Sequence, residues 1–366
     1  MERSIEKLAR QQAKLKHKVY VVTGMNTPNY YKKLRDFEND NGIHIVRVKC
    51  LKLIYGDLTV PLDIPKNIIN EGDILHMHSQ NTIFNIVLGS YARKLNVPTA
   101  TTFMGLNAFI NHPSLLKRMF GIPYQHFLTT YALRMTNLRI TRSPWDYFML
   151  RNVFHLRNEY IPEGVDSEWL KNKQITTFNE KYGFDSNSTR IVLFVGRLEE
   201  SKGVDKLIRT ASVVMKKIAD VAFVFVGPGD NTRFAKLAKQ LEIDHHVLFT
   251  GPIYDEDLLM SAFDACSIFV LPSIAYEIFP LVFLEAWARK KPIVASSVAG
   301  IPFIIRHMKN GLLVRAGDII SLADSINFLL EDPSLCNRLA EEGCKQVKTT
   351  EEVAKLMLRA YESNLR

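Results

Sequence analysis

The stretch IVLFVGRLEESKG, residues 191–203, places an apolar run directly before a glycine, an arginine and, five residues further on, a lysine. The run Ile191–Val195 predicts a buried strand that ends at Gly196. Arg197 and Lys202 then stand at the carboxyl end of that strand, where both cations can point at one anion. Surface salt bridges with the two glutamates between them, Glu199 and Glu200, are the alternative interpretation.

A second stretch, EIFPLVFLE at residues 277–285, supplies two carboxylates around the start of a predicted helix. Glu277 lies in the loop, where a carboxylate can accept hydrogen bonds from sugar hydroxyls. Glu285 lies on the helix and can hold the hydroxyls of a ribose, although an ordinary surface glutamate on a helix is the alternative. The start of the helix offers free backbone N–H groups to an anion. Pro280 has no N–H, which removes one of these donors.

Short apolar runs alternate with helical patterns along the whole chain, which is typical of parallel α/β sheets. In the first half, a strand at residues 17–23 is followed by a helix at Asn29–Asn39, the turn Asn41-Gly42 and a strand at residues 43–48. The alternation restarts at residue 190, after a junction near residues 162–173. The sequence therefore predicts two α/β domains, and ligands of such sheets bind outside the carboxyl ends of the strands.

Length and composition indicate a globular protein with room for two cores. The chain has 366 residues, is 47% hydrophobic and contains no apolar run that reaches the roughly 20 residues of a membrane span. Residues 1–18 are charged and lack the apolar core of a secretory signal. We expect them to form a short basic amphipathic helix, either a solvated extension or a helix that contacts a membrane surface or a partner.

The net charge of +9 is concentrated in the first half of the chain. Residues 1–165 hold 22 Lys and Arg against 12 Asp and Glu, whereas the remaining residues hold 25 against 26. Such asymmetry concerns partners rather than fold, and an anionic membrane surface or a phosphorylated acceptor would suit it, with plain solubility as the alternative. No nucleic-acid-binding motif accompanies the charge, so a nucleic acid is not expected as a partner.

The segment Leu115–Met135 mixes basic and aromatic residues on one predicted helix. This pattern suits either an interfacial surface that contacts a membrane or a core helix with a few surface cations. The membrane contact would be peripheral, at the inner surface of the membrane. The cysteines indicate a reducing cytoplasm. The four cysteines are Cys50, Cys266, Cys336 and Cys344. They form no C-x-x-C pair and no zinc-like cluster.

Two histidines, His76 and His78, would share one face of a strand end. They are either contacts to a sugar or acceptor or structural histidines. No third ligand accompanies them, so no metal site is predicted.

These features together resemble the retaining group 1 glycosyltransferases of glycosyltransferase family 4. The resemblance is close over residues 159–345, and Ile161–Asp166 is similar to the family's I-P-N-G-V-D linker with Glu163 in place of Asn. The first half resembles the family more loosely, through residues 73–78 and 101–105. The close resemblance rests on Arg197, Lys202, Glu277, Glu285, Pro272-Ser273, Gly300-Ile301-Pro302 and Asn310-Gly311.

The resemblance implies the α/β GT-B architecture, two Rossmann-like domains facing across a cleft. Residues 1–163 would bind the acceptor, residues 164–348 would bind the nucleotide-sugar, and a helix at residues 349–366 would cross back to the first domain. It also implies a nucleotide-diphosphate-sugar as substrate, retention of the anomeric configuration, and neither a cofactor nor a required metal.

The resemblance assigns the residue roles as well. Arg197 and Lys202 would neutralise the diphosphate leaving group and Glu277 would hold the donor sugar, as the catalytic residues. Glu285 would hold the ribose, and the base would lie near Gly251–Ile253. The donor-binding residues would be Gly24, Gly196, Gly227, Ile253, Phe279, Pro280, Leu281, Val282 and Glu285. The candidate contacts to the sugar or the acceptor are His76, His78, Met104 and Gly105.

Three positions depart from the family pattern. Met104 stands where the family commonly has a histidine that reaches the donor sugar, so activity is reduced or the donor sugar lacks a hydroxyl there. Pro280 replaces the usual glycine and removes an N–H. The loop after the first strand carries only Gly24 where the family usually has two glycines.

We therefore expect a cytoplasmic, metal-independent hexosyltransferase that moves a sugar from a nucleotide-sugar to an acceptor such as a lipid-phosphate or a cell-surface glycan precursor. The departures keep a non-catalytic nucleotide-sugar-binding protein as one alternative. A nucleotide-sugar epimerase or a phosphorylase on the same architecture is another.

Overall fold

A computed structural model describes residues 2–25, 35–52, 59–106, 115–171, 177–185 and 188–364. The chain forms two compact units. Unit 1 consists of residues 1–164 together with residues 348–366, and unit 2 consists of residues 165–347.

Unit 1 begins with a small sheet in which the first and third strands pair in parallel and the others pair antiparallel with the third. A second sheet of four parallel strands follows, in the order β5-β6-β7-β8. The strands are β1 (Val19–Met25), β2 (Phe37–Asp40), β3 (Ile43–Lys52), β4 (Thr59–Pro61), β5 (Leu75–His78), β6 (Thr99–Phe103), β7 (Leu138–Thr141) and β8 (Glu159–Tyr160). The helices up to this point are α1 (Glu2–Lys14), α2 (Lys66–Glu71), α3 (Ile83–Lys94), α4 (Leu115–Met135) and α5 (Pro144–Phe148), with one π-helical segment at Met149–Val153.

The prediction of a helix at Asn29–Asn39 is wrong for the residues of this segment that the structure describes. Residues 37–40 form strand β2, which turns at Asn41-Gly42 and pairs with β3. Residues 26–34, which include most of the predicted helix and of the loop after Gly24, lie outside the described residues.

Unit 2 contains one sheet of six parallel strands in the order β11-β10-β9-β12-β13-β14. The strands are β9 (Arg190–Val195), β10 (Val221–Val226), β11 (Val247–Gly251), β12 (Ile268–Leu271), β13 (Ile293–Ser296) and β14 (Leu312–Val314). The helices are α6 (Thr177–Tyr182), α7 (Val204–Val214), α8 (Thr232–Gln240), α9 (Glu256–Ala265), α10 (Leu281–Ala288), α11 (Ile319–Glu331) and α12 (Pro333–Cys344). Short 3-10 turns lie at Ser167–Leu170, Glu200–Lys202, Asp244–His246 and Ile301–Phe303.

The strand order of unit 2 explains why its central strands are continuous apolar runs. Helices cover a parallel sheet on both faces, so side chains on both sides of a strand are buried. Residues 191–194 of β9 are at most 1% exposed, and every residue of β10 is buried. The core of unit 2 lies around these two strands.

The order also places a reversal of direction between β9 and β12. Strands β9, β10 and β11 add in one direction across the sheet, and β12, β13 and β14 add in the other. At such a reversal the loops from adjacent strands leave toward opposite faces, which opens a crevice at the carboxyl end of the sheet.

The last helix of the chain, α13 (Thr350–Asn364), packs against α1 in unit 1. Leu8 and Ala9 of α1 are only 5% and 4% exposed, and Leu8 lies in one core cluster with Ala354 and Met357 of α13. The interpretation of residues 1–18 as a solvated extension is therefore wrong, because α13 covers the apolar positions of the helix.

Candidate functional site

The predicted cations and the predicted loop carboxylate lie at the strand reversal of unit 2. Strands β9 and β12 are hydrogen-bonded neighbours, with Val192 opposite Ile268 and Leu193 opposite Phe269. Arg197 and Lys202 follow the end of β9, and Glu277 follows the end of β12. The fold therefore brings together residues that are far apart in sequence.

Two backbone contacts hold the loops after β9 and β12 against each other. The N–H groups of Ile274 and Ala275 both donate to the carbonyl of Ser201, at 3.0 and 3.2 Å. Gly203 has φ of +70°, and a Cβ atom at this position would lie only 1.9 Å from the carbonyl oxygen of Pro272. Only glycine fits this combination of left-handed backbone and close approach.

Lys202, Glu277 and Ser273 form a hydrogen-bonded cluster across these two loops. The Lys202 Nζ donates to Oε1 of Glu277 in an ion pair, and the Ser273 hydroxyl donates to the same oxygen at 2.8 Å. The side chains of Lys202 and Glu277 are 21% and 11% exposed, and Ser273 is fully buried. The cation and the carboxylate thus form one poorly solvated pair at the mouth of the reversal.

Arg197 is held differently, at the surface. Its side chain is 64% exposed, and its Nη1 donates to Glu199 at 2.7 Å. Glu200 pairs with Arg233 instead. The alternative interpretation, a surface salt bridge with Glu199 or Glu200, therefore describes Arg197 but not Lys202. An exposed ion pair contributes only about 0.2–1 kcal/mol, so an arriving dianion can compete for this guanidinium.

The loop after β13 joins the cluster from its other side. The Gly300 N–H donates to the carbonyl of Glu277 at 2.8 Å. A Cβ atom on Gly300 would lie 2.1 Å from the carbonyl oxygen of Ile278. This close approach gives a packing reason for the Gly300-Ile301-Pro302 motif, which fixes the backbone around Glu277.

Gly196 and Gly227 contact each other rather than open space. The Gly196 N–H donates to the carbonyl of Val226 at 2.9 Å, and a Cβ atom on Gly227 would lie 1.9 Å from the carbonyl oxygen of Gly196. Their small size therefore lets the loops after β9 and β10 meet.

Helix α10 carries the remaining donor-binding candidates of unit 2. Pro280 precedes the helix as its N-cap residue, so the missing N–H is not one of those within the first turn. Leu281 is 41% exposed, whereas Phe279 and Val282 are partly buried against the core. Glu285 is also partly buried, between the buried side chains of α10. Ile253, in the loop after the edge strand β11, is partly buried on the same core.

In unit 1, the two histidines lie in a largely enclosed cluster. His76 is hydrogen-bonded through Nδ1 to Tyr361 of α13 at 2.6 Å and through Nε2 to Thr102 at 2.8 Å. The ring of His78 stacks on that of His76 at 4.2 Å. Burial lowers the pKa of His76 to about 3, and burial together with the neighbouring His76 lowers the pKa of His78 well below its usual value. Both rings are therefore neutral at pH 7.

Met104 and Gly105 occupy a loop after β6 that side chains hold from three directions. Gln80 donates to the Met104 carbonyl at 2.9 Å and accepts from its N–H at 3.0 Å. Gln125 donates to the Gly105 carbonyl at 2.6 Å. Asp146 accepts from the N–H groups of Gly105 and Leu106, at 3.2 and 2.9 Å.

Sequence reasoning missed the residues that hold this loop. Asp146 is fully buried, and its burial raises the pKa of the carboxyl group to about 6 although Ser143 and two N–H groups donate to it. The pattern Ser143-Pro144 is the one available signal, since serine before a proline favours the start of a helix. It indicates a capped helix but not a carboxylate that binds a loop 40 residues earlier in the chain.

Gly24 lies inside strand β1 rather than after it. A Cβ atom on Gly24 would lie 3.0 Å from the sulfur of Cys50 on the paired strand β3.

The described residues contain no group of three or more His, Cys, Asp or Glu side chains placed to hold a metal ion. Within the same residues, no helix has the length and apolar character needed to cross a bilayer.

Two family models match the chain. The model described as glycosyltransferase family 4 matches residues 1–169, and the model described as glycosyl transferases group 1 matches residues 175–346.

Individual proteins match as well. An uncharacterised glycosyltransferase of Methanocaldococcus jannaschii is 32% identical over 341 residues, which cover 86% of this chain and 81% of that protein. A phosphatidyl-myo-inositol mannosyltransferase of Mycobacterium leprae is 31% identical over 206 residues, 56% of this chain and 53% of that protein. The solved structure of a sucrose-phosphate synthase from Thermosynechococcus elongatus has the same fold, with a TM-score of 0.77 and 22% identity over 98% of this chain and 92% of that one.

Proposed function

We propose a reaction for this chain, which belongs to the group 1 glycosyltransferases of glycosyltransferase family 4. As a member of that family, the protein is a hexosyltransferase that moves a sugar from a nucleotide-sugar donor to an acceptor. The epimerase, phosphorylase and non-catalytic alternatives are not favoured, because the relatives are transferases.

The proposed donor site is the cluster at the strand reversal of unit 2. The observation that carries this proposal is the partly buried group of Lys202, Glu277 and Ser273, with Arg197 on the adjacent loop. A nucleotide-sugar needs cations for its diphosphate and acceptors for its sugar hydroxyls, and this site offers both side by side. The proposal extends along α10 to Glu285 for the ribose and to Ile253 for the base.

In the proposed reaction, the bond between the anomeric carbon of the sugar and the diphosphate breaks, and negative charge accumulates on the departing phosphate. The anomeric carbon forms a new bond to an oxygen of the acceptor, and any proton on that oxygen passes to the departing phosphate. Arg197 and Lys202 would stabilise that charge. Preorganised donors aimed at a developing charge contribute about 3–4 kcal/mol each in comparable sites. We propose that these two cations supply enough charge for transfer without a metal or cofactor, and that the product retains the anomeric configuration.

Lys202 would change partners when the donor binds. Its Nζ donates to the carboxylate of Glu277. A diphosphate carries more negative charge than one carboxylate and would draw the ammonium toward itself. Glu277 would then accept hydrogen bonds from the sugar hydroxyls in place of the lysine.

The acceptor is proposed to be a lipid-linked molecule at the inner surface of a membrane. The evidence is an exposed apolar face on α4, which carries no acidic residue. Arg118 and Arg134 are exposed on the same helix. The exposed apolar side chains, between 40% and 69% accessible, are Leu115, Leu116, Met119, Phe120, Ile122, Phe127 and Tyr131.

A helix with exposed aromatic and basic residues and no acids matches an anionic lipid surface in both hydrophobicity and charge. The relative from Mycobacterium leprae, whose name gives a phosphatidylinositol acceptor, supports this class of acceptor. We propose that the enzyme works in the cytoplasm as a peripheral membrane protein, for which its four free cysteines are suited.

A binding screen tests the proposed donor site. Thermal unfolding would be measured with UDP, GDP, ADP and TDP and with their common sugar conjugates, for the wild type, Glu285→Ala and the control Glu331→Ala. A ligand that binds the folded state raises the melting temperature by mass action. We expect one nucleotide to stabilise the wild type and the control but not Glu285→Ala. Absence of any shift with the whole panel would contradict the proposed donor site.

A further inference from the structure

The buried hydroxyl of Ser273 has a partner on the proposed donor site. Ser273 is 0% exposed and directly follows the loop residue Pro272. Its Oγ donates to Oε1 of Glu277 at 2.8 Å. A buried hydroxyl that lost its partner would cost about 1–3 kcal/mol, so this bond is expected to persist.

Glu277 therefore has two side-chain donors that differ in mobility. Lys202 reaches the carboxylate with a long, flexible side chain that is 21% exposed. Ser273 reaches it with a short, fully buried one. Both donate to Oε1, and within the described part of the chain no donor reaches Oε2. The second oxygen is left to face a ligand.

The backbone of this loop does not depend on the serine side chain. The N–H groups of Ile274 and Ala275 donate to the Ser201 carbonyl, and the Gly300 N–H donates to the Glu277 carbonyl. These bonds would remain if residue 273 lost its hydroxyl. The hydroxyl therefore acts on the orientation of the carboxylate more than on the path of the chain.

We infer that Ser273 is a positioning residue that keeps Glu277 oriented when a donor diphosphate draws Lys202 away. This inference rests on the proposed function of the site. Once Lys202 turns to the phosphate, Ser273 is the remaining side-chain donor to Glu277. The serine then fixes Oε1, and Oε2 stays directed at the hydroxyls of the sugar.

The inference predicts a difference between two ligands of the same site. A nucleoside diphosphate lacks the sugar and engages only the cations, whereas the nucleotide-sugar also needs an oriented Glu277. Loss of the Ser273 hydroxyl should therefore weaken nucleotide-sugar binding and leave nucleoside diphosphate binding nearly unchanged. A purely structural role would weaken the two together.

The experiment is calorimetric titration of the wild type, Ser273→Ala, Ser273→Thr and the control Ser261→Ala. Ser261 is also 0% exposed and its hydroxyl is also bonded to a side chain, that of Thr177, at 3.1 Å. The ligands are UDP, GDP, ADP and TDP and their hexose conjugates. In Ser273→Ala we expect the Kd of the conjugate that the wild type binds to rise about tenfold, which is a loss of about 1.4 kcal/mol of binding free energy. The Kd of the corresponding nucleoside diphosphate should stay within about threefold of the wild-type value. Ser273→Thr, which keeps a hydroxyl, should restore part of the difference, and Ser261→Ala should show none.

Equal Kd changes for both ligands, or no change for either, would overturn the role of Ser273. Failure of Ser273→Ala to fold while Ser273→Thr folds would also overturn it, because the hydroxyl would then be needed for the fold itself. A wild type that binds none of the conjugates would refute the proposed function instead, so the two failures are distinguishable.

Discussion

Replacement of Gly203 by alanine tests whether the loops after β9 and β12 must touch for the site to form. Gly203 lies at φ +70°, and the added Cβ would lie 1.9 Å from the Pro272 carbonyl oxygen. Since Cβ atoms essentially never approach a neighbour within 3.0 Å, the two loops must separate by about 1 Å.

The magnitude follows from two contributions. A left-handed conformation costs an alanine about 1–2 kcal/mol, of which about 0.4–1 kcal/mol is offset by the reduced freedom of the unfolded chain. Forced separation in a packed region costs about 1–3 kcal/mol more. We expect Gly203→Ala to lower the free energy of unfolding by about 2–4 kcal/mol.

Gly317 provides a matched control. It lies in the same unit at φ +77°, and a Cβ atom there would have no neighbour within 4 Å. Gly317→Ala should therefore show only the cost of the backbone conformation, about 1 kcal/mol. Urea denaturation followed by tryptophan fluorescence measures both, since Trp169 and Trp287 are buried in unit 2.

The same displacement should affect activity. Lys202 precedes Gly203, and Glu277 lies five residues beyond Pro272, so a 1 Å separation would move the two charged groups apart. A misplacement of that size can lower a rate by about a hundredfold. Equal stability and equal turnover of Gly203→Ala and Gly317→Ala would show that the site does not depend on contact between these two loops.

The other predictions concern acid stability, metal and membrane binding. Because burial holds the pKa of His76 near 3, the unfolded state binds a proton on this residue first as the pH falls below about 6.5. This difference should lower the free energy of unfolding by about 2–3 kcal/mol at pH 4.5. Urea denaturation at pH 7 and at pH 4.5 measures the loss, which His76→Gln should remove. Asp146, whose pKa is raised to about 6, has the opposite sign, so Asp146→Asn should remove a loss of stability that develops as the pH rises from 4 to 6. Transfer should continue within about twofold in the presence of a chelator, and a loss of activity restored by a divalent cation would contradict metal independence. Phe120→Ser with Phe127→Ser should weaken co-sedimentation with anionic vesicles about tenfold, while Phe328→Ser, the same type of change at a single 45% exposed site of α11, should not.

The predicted GT-B fold is confirmed by the similarity to the sucrose-phosphate synthase structure and by the family models. Its strongest evidence in the sequence was in unit 2, where the apolar runs of β9 and β10 are long and bounded by glycine. Such runs are legible because a strand buried on both faces tolerates few polar residues.

The error at residues 37–40 has a physical reason. Asn41 and Gly42 have φ of 51° and 87°, the two left-handed residues of a tight hairpin turn. An Asn-Gly pair indicates a hairpin between two strands, and the expectation of a helix before it neglected that signal. The short strand is stabilised by pairing with β3 rather than by its own apolar pattern.

Other features of the site depend on contacts that no spacing reveals. The bond from His76 to Tyr361 joins residues 285 positions apart, and the residues of α13 that cover Leu8 are farther still from it along the chain. The motif residues Lys202 and Glu277 were predicted as separate contributors to a ligand site. The ion pair between Lys202 and Glu277 follows from the strand order that places β9 beside β12, whereas Ser273 reaches Glu277 from within the same loop.

The role of the cluster between β9 and β12 is tested by sugar transfer with the wild type, Lys202→Met and Glu277→Gln. The donor is the nucleotide-sugar that the binding screen selects, and the acceptor is a polyprenyl phosphate or phosphatidylinositol. The matched control is Lys345→Met with Glu342→Gln, since these residues also form an ion pair in unit 2 but are 69% and 35% exposed. We expect a loss of at least a hundredfold in turnover for each site variant, with folded protein and near-normal turnover in the control. Wild-type turnover in either Lys202→Met or Glu277→Gln would show that the cluster between β9 and β12 does not perform the transfer.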